Sequence, residues 1–193
     1  MIYCNNSIDL IDILAQNSVC ATIGNFDGLH IGHRSLIHKV FDISKKHSCI
    51  SMVISFWPHP LSILAPHRAP RLIATHAEKL SLLEKLNIDV FLELPFTKHL
   101  ASLTAEEFFT TQIFPINLKY LVIGYDFCLG KNRAGDADCL RLLGEKYTFD
   151  VIQMPAIREN GTIVSSTLIR KALNSGSSYI PGMPMSIDNH IYA

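Results

Sequence analysis

Short apolar runs alternate along the chain with stretches whose apolar residues recur at helical spacing. Five runs read as strands: Cys20–Gly24, Cys49–Phe56, Val90–Leu94, Tyr120–Gly124 and Val151–Met154. They are rich in Val, Ile, Leu and Phe and lack clean polar alternation, the pattern of strands buried on both faces of a parallel sheet. Helical patterns fill the gaps. Leu36, Ile37, Val40 and Phe41 form an i, i+1, i+4, i+5 stripe. His76–Leu86 carries Leu80, Leu82, Leu83 and Leu86 and stops at Asn87, which suits a left-handed helix end. Thr104 and Glu107 make a capping box ahead of Phe108, Phe109 and Ile113, and Pro115 is expected to end that helix. Asp138–Tyr147 is a further helix. A last one starts near Ser165-Ser166-Thr167, with Gly176 beyond its end.

This order of elements predicts an α/β fold: a Rossmann-like, doubly wound parallel sheet of about five strands with right-handed crossovers. Residues 57–70 hold four prolines and no periodicity, and read as one long loop. Residues 1–176 are assigned to a single domain. The tail 177–193, rich in Ser, Gly and Pro, is expected to be poorly ordered.

Composition narrows the partners. The 193 residues suit one α/β domain, and 48% hydrophobic content supports a sizeable core. Net charge is zero, which argues against a nucleic-acid partner, so an anionic ligand must be held by a few placed groups. The five cysteines form no CxxC pair and read as buried or free thiols in a reducing compartment. The first residues carry aspartates and no basic region, a poor signal peptide. No apolar run approaches the ~18 residues of a membrane span. The expectation is a cytoplasmic protein with no membrane partner; its oligomeric state is left open.

The chemistry concentrates in GNFDGLHIGH, residues 24–33. It follows the first predicted strand and opens the first predicted helix. In open parallel sheets ligands bind beyond the carboxyl ends of the strands, where strand order reverses. Glycines there let backbone approach a ligand closely. The helix start offers free N–H groups and positive potential, an anion site. His30 and His33 are placed to hydrogen-bond phosphate oxygens and to stabilise charge in a transition state. The string is neither a Walker A loop nor a GxGxxG fingerprint.

GLHIGH resembles the GxHxGH motif of the nucleotidylyltransferase superfamily. The longer TIGNFDGLHIGH is similar to the FMN adenylyltransferase (FAD synthetase) module of bacterial bifunctional riboflavin kinase/FAD synthetases. Three further stretches match that family in order: SFWPHP at 55–60, VIGYDFCLGKNRAGD at 122–136 and VSSTLIR at 164–170. The resemblance runs from about Ala21 to Gly176. It implies adenylyl transfer from ATP to FMN, giving FAD and pyrophosphate by direct in-line displacement. It further implies His30, His33 and Arg170 as catalytic, and Gly24, Asn25, Phe26, Asp27, Gly32, Ser165, Ser166 and Thr167 as ATP-binding. Trp57, His59, Asp126, Phe127, Lys131 and Arg133 are the FMN-binding candidates. Two roles stay open for Trp57, stacking on a flavin or packing its loop onto the sheet. Mg²⁺ would come with ATP, held mainly by phosphates, with no side-chain ligands assigned. His76 and the remaining histidines read as surface or incidental.

Tyr125 and Leu129 depart from the family pattern, which puts packing around the flavin in doubt. Seventeen residues after Gly176 cannot build the family's riboflavin kinase barrel, so no such domain and no riboflavin phosphorylation are expected. Whether the single domain is natural or trimmed is left open. Two alternatives stand beside the main reading. One is a nucleotidylyltransferase with a different nucleotide or phosphorylated acceptor; the other is a non-catalytic nucleotide- or flavin-binding remnant.

Overall fold

The computed structural model describes residues 1–14, 17–177 and 179–183. A six-stranded parallel sheet organises them: β1 (Ile2–Cys4), β2 (Val19–Ile23), β3 (Ile50–Trp57), β4 (Val90–Pro95), β5 (Leu118–Ile123) and β6 (Asp150–Gln153). Their spatial order is β1-β4-β3-β2-β5-β6. The five predicted strands are all present, each displaced by no more than two residues at either end. β1 was not anticipated. Three residues, two of them exposed, are too few to show a period, and it gains its place by pairing with β4 at the sheet edge.

Helices are α1 (Ile11–Leu14), α2 (Ile31–His47), α3 (Pro60–Leu64), α4 (His76–Glu84), α5 (Lys98–Ser102), α6 (Ala105–Phe108), α7 (Ala137–Tyr147) and α8 (Ser166–Asn174). A small hairpin, β7 (Arg158–Glu159) and β8 (Thr162–Ile163), precedes α8. Its turn residues Asn160 and Gly161 both have positive φ, as the tight turns that match strand twist require.

The absence of polar alternation has a direct cause: both faces of the sheet are covered. Along β2–β5, Ala21, Ile23, Met52, Ile54, Leu92, Leu94, Leu121 and Ile123 point into one core with Phe108, Phe109, Ile113 and Leu140. Their neighbours Cys20, Val53, Phe91 and Val122 point the other way, against Ile37, Val40, Ile43 and Leu83. The period of two is therefore written in which face is apolar, not in whether a residue is.

Local signals set the helix ends. Asp136 caps α7 through the Cys139 amide at 3.0 Å, and Thr104 and Glu107 close the anticipated capping box on α6. Asn87 takes the left-handed conformation beyond α4. Pro115 does not simply end the α6 helix. The chain passes through a π-turn at Phe109–Ile113 and a 3₁₀ turn at Phe114–Ile116 that contains the proline, then turns at left-handed Asn117. A proline tolerated in the first turn of a new segment needs no N–H there. Residues 57–70 are likewise not one loop, since α3 and the 3₁₀ turn Pro66–Arg68 each start on a proline.

Residues 178 and 184–193 of the predicted tail lie outside the described residues. Within 179–183, Ile180 and Met183 pack on Ile73, Val164 and Ile169. The Gly182 carbonyl accepts from the Ile31 amide at 2.8 Å, and its own amide donates to Glu159. This part of the tail is thus held against the start of α2. No helix among the described residues is long and apolar enough to cross a membrane.

Candidate active site

β2 runs one way to β3 and β4, and the chain later returns to β5 on β2's other side. The crevice between the ends of β2 and β5 is therefore the switch point of the sheet. The loops 24–30 and 124–135 leave from it. Gly24 and Asn25 line a cavity of about 370 Å³ together with Phe56, Phe96, Asp126, Phe127, Leu129 and Arg133. A roomier hollow of about 990 Å³ lies between His47, Lys119, Tyr120 and Arg141, at the amino ends of the strands. It is more open to solvent, and parallel sheets place ligands at the opposite end.

The first loop is held by its own strain-tolerant residues. Gly28 has φ +77, and a Cβ there would meet the Ile73 side chain at 2.4 Å. Phe26 and Leu29 also have positive φ and are buried. The Phe26 side chain, a candidate for ATP contact, instead fills the core beside Leu29, Ile37 and Val53. At 1% exposure it shapes the loop from below and is not among the residues lining the cavity of about 370 Å³.

His30 is the N-cap of α2, its Nδ1 accepting from the His33 amide at 3.3 Å. That bond assigns the proton of the neutral ring to Nε2. The His33 ring stacks on His30 at 3.6 Å between centroids and takes the edge of Phe26 on its other side. Gly32 permits the stack, since a Cβ would stand 3.1 Å from the His30 ring. Burial pushes His30 down to about 4, with Arg34 and Arg170 adding to the effect and Asp27 opposing it. Burial, then His30 and Arg170, hold His33 well below the ordinary imidazole range. Both rings are neutral near pH 7. His33 Nδ1 is buried and has no hydrogen-bond partner among the described residues.

Asp27 is a structural hub. Its carboxylate accepts from the Ile73 and Ala74 amides and pairs with Arg170 at 2.5 Å. Arg170 also donates from Nε to the Arg71 carbonyl at 3.0 Å. Ser166, one turn earlier on α8, donates to the Asp27 carbonyl. Ser166 and Arg170 thus share a face of α8, and that face is turned to the first loop. Ser165 spends its hydroxyl capping α8 through the Leu168 amide, while Thr167 is exposed.

The second loop folds over residues 103–105. Leu129 and Gly135 exchange backbone hydrogen bonds, the Lys131 amide donates to Leu103, and Gly130 lies too close to the Ala105 backbone for any side chain. Asp126, Phe127 and Arg133 reach the cavity, but Lys131 is not among its lining residues. Trp57 and His59 line a smaller neighbouring cavity of about 20 Å³ with Asn25, Asp27, His76 and Lys79. The Trp57 ring packs on His76 at 4.9 Å between centroids, and His59 caps α3.

His76 is not incidental. Its Nε2 meets Glu93 Oε2 at 2.5 Å, and Lys79 Nζ meets Glu93 Oε1 at 2.6 Å. One signal for this group stood in the sequence: Glu93 interrupts the otherwise apolar run of β4, and a carboxylate buried on a two-sided sheet needs partners. Which partners was unreadable, because His76 and Lys79 come from a helix, α4, and Tyr3 from the edge strand β1.

The FAD synthetase family model matches residues 12–168. This chain belongs to the FAD synthetase family. A bifunctional riboflavin kinase/FMN adenylyltransferase of Buchnera aphidicola from Acyrthosiphon pisum is 37% identical over 181 residues, covering 91% of this chain and 58% of that protein. A protein of the same description from Escherichia coli K12 is 36% identical over 159 residues, 82% of this chain and 51% of its own length. An FAD synthetase of Listeria monocytogenes is 37% identical over 156 residues, 80% and 63% respectively. This FAD synthetase family chain thus spans 58% of the length of the first of these curated relatives and similar shares of the others. Among solved structures, a Streptococcus pneumoniae protein described as a macrolide-efflux protein superposes with a TM-score of 0.75 at 29% identity, covering 89% of this chain and 56% of its own. A Francisella tularensis pantoate-β-alanine ligase, at 16% identity and TM-score 0.55, shares the fold.

Proposed function

We propose that residues 1–176 form a domain that transfers the adenylyl group of ATP to FMN. An FMN phosphate oxygen attacks the α-phosphorus in line. The bond from that phosphorus to the bridging oxygen breaks, and pyrophosphate leaves. FAD contains the new phosphoanhydride. No covalent protein intermediate is needed, so the work is positioning and charge stabilisation.

The observation that carries this reading is the stacked, neutral His30–His33 pair on the first turn of α2, beside the crevice at the sheet's switch point. His30 Nε2–H and an N–H of His33 are donors for phosphate oxygens. Being neutral, they cost little desolvation before ATP arrives, and the polyphosphate favours their protonation once bound. Gly24, Asn25 and Gly32 supply close backbone approach for ATP. Asp27 holds the loop, and Ser165, Ser166 and Thr167 set the start of α8 beside it. Arg170, tied to Asp27 in this structure, reaches the leaving phosphates only by exchanging that partner. The cavity with Phe56, Phe127, Asp126 and Arg133 suits the flavin, and Trp57 and His59 flank it. Lys131, exposed on the second loop, is the remaining FMN candidate.

Magnesium enters with the nucleotide as MgATP. The phosphates of ATP are its main ligands in this reading, and it would offset their charge as the α-phosphorus is attacked. Five unpaired cysteines support a reducing, cytoplasmic setting. Incubation of the purified chain with FMN and MgATP, followed by chromatography, tests the reading. FAD is expected. Riboflavin gives none, because it lacks the attacking phosphate oxygen. A folded chain that binds ATP and FMN without forming FAD sinks the proposal.

A further inference from the structure

Lys79 and Glu93 form an ion pair at 2.6 Å, with 8% and 2% of their side chains exposed. Neither belongs to the loops or motifs assigned above, and such a pair needs a reason. Taking two charges out of water costs several kcal/mol per ion, and an apolar pair of similar volume often serves stability as well or better. The reason lies in what the pair touches. Lys79 Nζ also donates to Ser55 Oγ at 3.1 Å. Ser55, fully buried, donates in turn to the backbone carbonyl of Asn25 at 3.3 Å. Glu93 Oε2 accepts from Tyr3 and meets His76, whose ring supports Trp57. The buried pair, one charge on α4 and one on β4, therefore reaches Asn25 in the loop after β2 and Trp57 at the end of β3.

We infer that Lys79 and Glu93 are positioning residues, fixing the Asn25 end of the ATP loop through Ser55 and the Trp57 loop through His76. The chain of contacts is directional. Glu93 fixes the ammonium, the ammonium occupies the Ser55 oxygen lone pair, and the hydroxyl hydrogen is left to point at Asn25. Asn25 is exposed at the mouth of the cavity, and among the described residues Ser55 is the side chain that holds its carbonyl. Hydrogen bonds in such a buried chain reinforce one another.

The inference rests on the adenylyl-transfer reading for its kinetic consequence, but not for its structural one. The test compares wild type, Ser55→Ala and the double substitution Lys79→Met/Glu93→Leu. The double variant replaces the pair with apolar side chains of similar volume, and its melting temperature is expected to equal or exceed the wild type's. In both variants amide exchange across residues 24–30 is expected to rise about tenfold, with β2–β5 unchanged. The KM for ATP is expected to rise about tenfold, with kcat changing less in Ser55→Ala than in the double variant, which also loosens Trp57. Unaltered exchange at 24–30 in both variants overturns the inference, and the pair is then a structural filler only. If wild type makes no FAD, the functional reading fails alone, and the exchange data still decide this one.

Discussion

The depressed imidazoles make acid stability a sharp test of the site's geometry. His30 titrates near 4 in the fold against an ordinary 6.5, so over that interval the unfolded chain binds a proton that the folded chain refuses. Stability is therefore complete above 6.5, falls as pH drops towards 4, and loses nothing more from this group below that. From about pH 7.5 to about pH 4.5 the unfolded ring gains nearly a full proton and the folded ring about a quarter, a loss of about 2.5 kcal/mol from His30 alone. His33 shifts in the same direction and adds to it. Carboxylates also titrate in this window, so the informative quantity is a difference between two proteins. His30→Asn keeps an N-cap acceptor for the His33 amide and removes the titrating ring. Urea unfolding followed by circular dichroism is run on both proteins at the two pH values. Wild type should lose about 2–3 kcal/mol more than the variant. Parallel losses in the two proteins would show that His30 is not buried in its neutral form, and the stacked pair as described would be wrong.

Three more outcomes follow from the same geometry. His33→Ala should raise the barrier to FAD formation by about 2.7–4 kcal/mol, in a variant that circular dichroism shows to be folded at the assay temperature. Gly28→Ala forces a Cβ to within 2.4 Å of Ile73 at a φ of +77, so thermal denaturation should report a loss of about 1–3 kcal/mol. Gly182→Val would place a side chain 2.3 Å from Val164; the 179–183 segment should then leave α2, seen as faster hydrogen exchange at the Ile31 amide.

Much of this was legible in the chain because the signals were local. A strand buried on both faces writes a continuous apolar run, so β2–β6 were readable, and with them the switch point that locates the site. Caps at Thr104 and Ser165 need only residues three apart. What escaped was either too short or too distant. β1 has three residues and exists only through its ladder to β4. The Asp27–Arg170 pair joins residues 143 apart, so a motif could name both but not show that each is occupied by the other. Phe26 illustrates a different limit. Its place in GNFDGLHIGH suggested contact with ligand, and only the fold shows that its side chain packs under the loop against Leu29, Ile37 and Val53. His76 lacked metal spacing and so read as incidental. Its partner Glu93 belongs to the adjacent strand, and no spacing rule connects them.

The most direct measurement follows the phosphorus. ATP labelled at the α-phosphate is incubated with the chain, FMN and Mg²⁺, and in parallel ATP labelled at the γ-phosphate. In-line adenylyl transfer puts the α-label into FAD and the γ-label into pyrophosphate, with His33→Ala slowing both equally. Label from the γ-phosphate appearing on a flavin, or α-label released as free AMP with FMN unchanged, would contradict adenylyl transfer as the chemistry of this site.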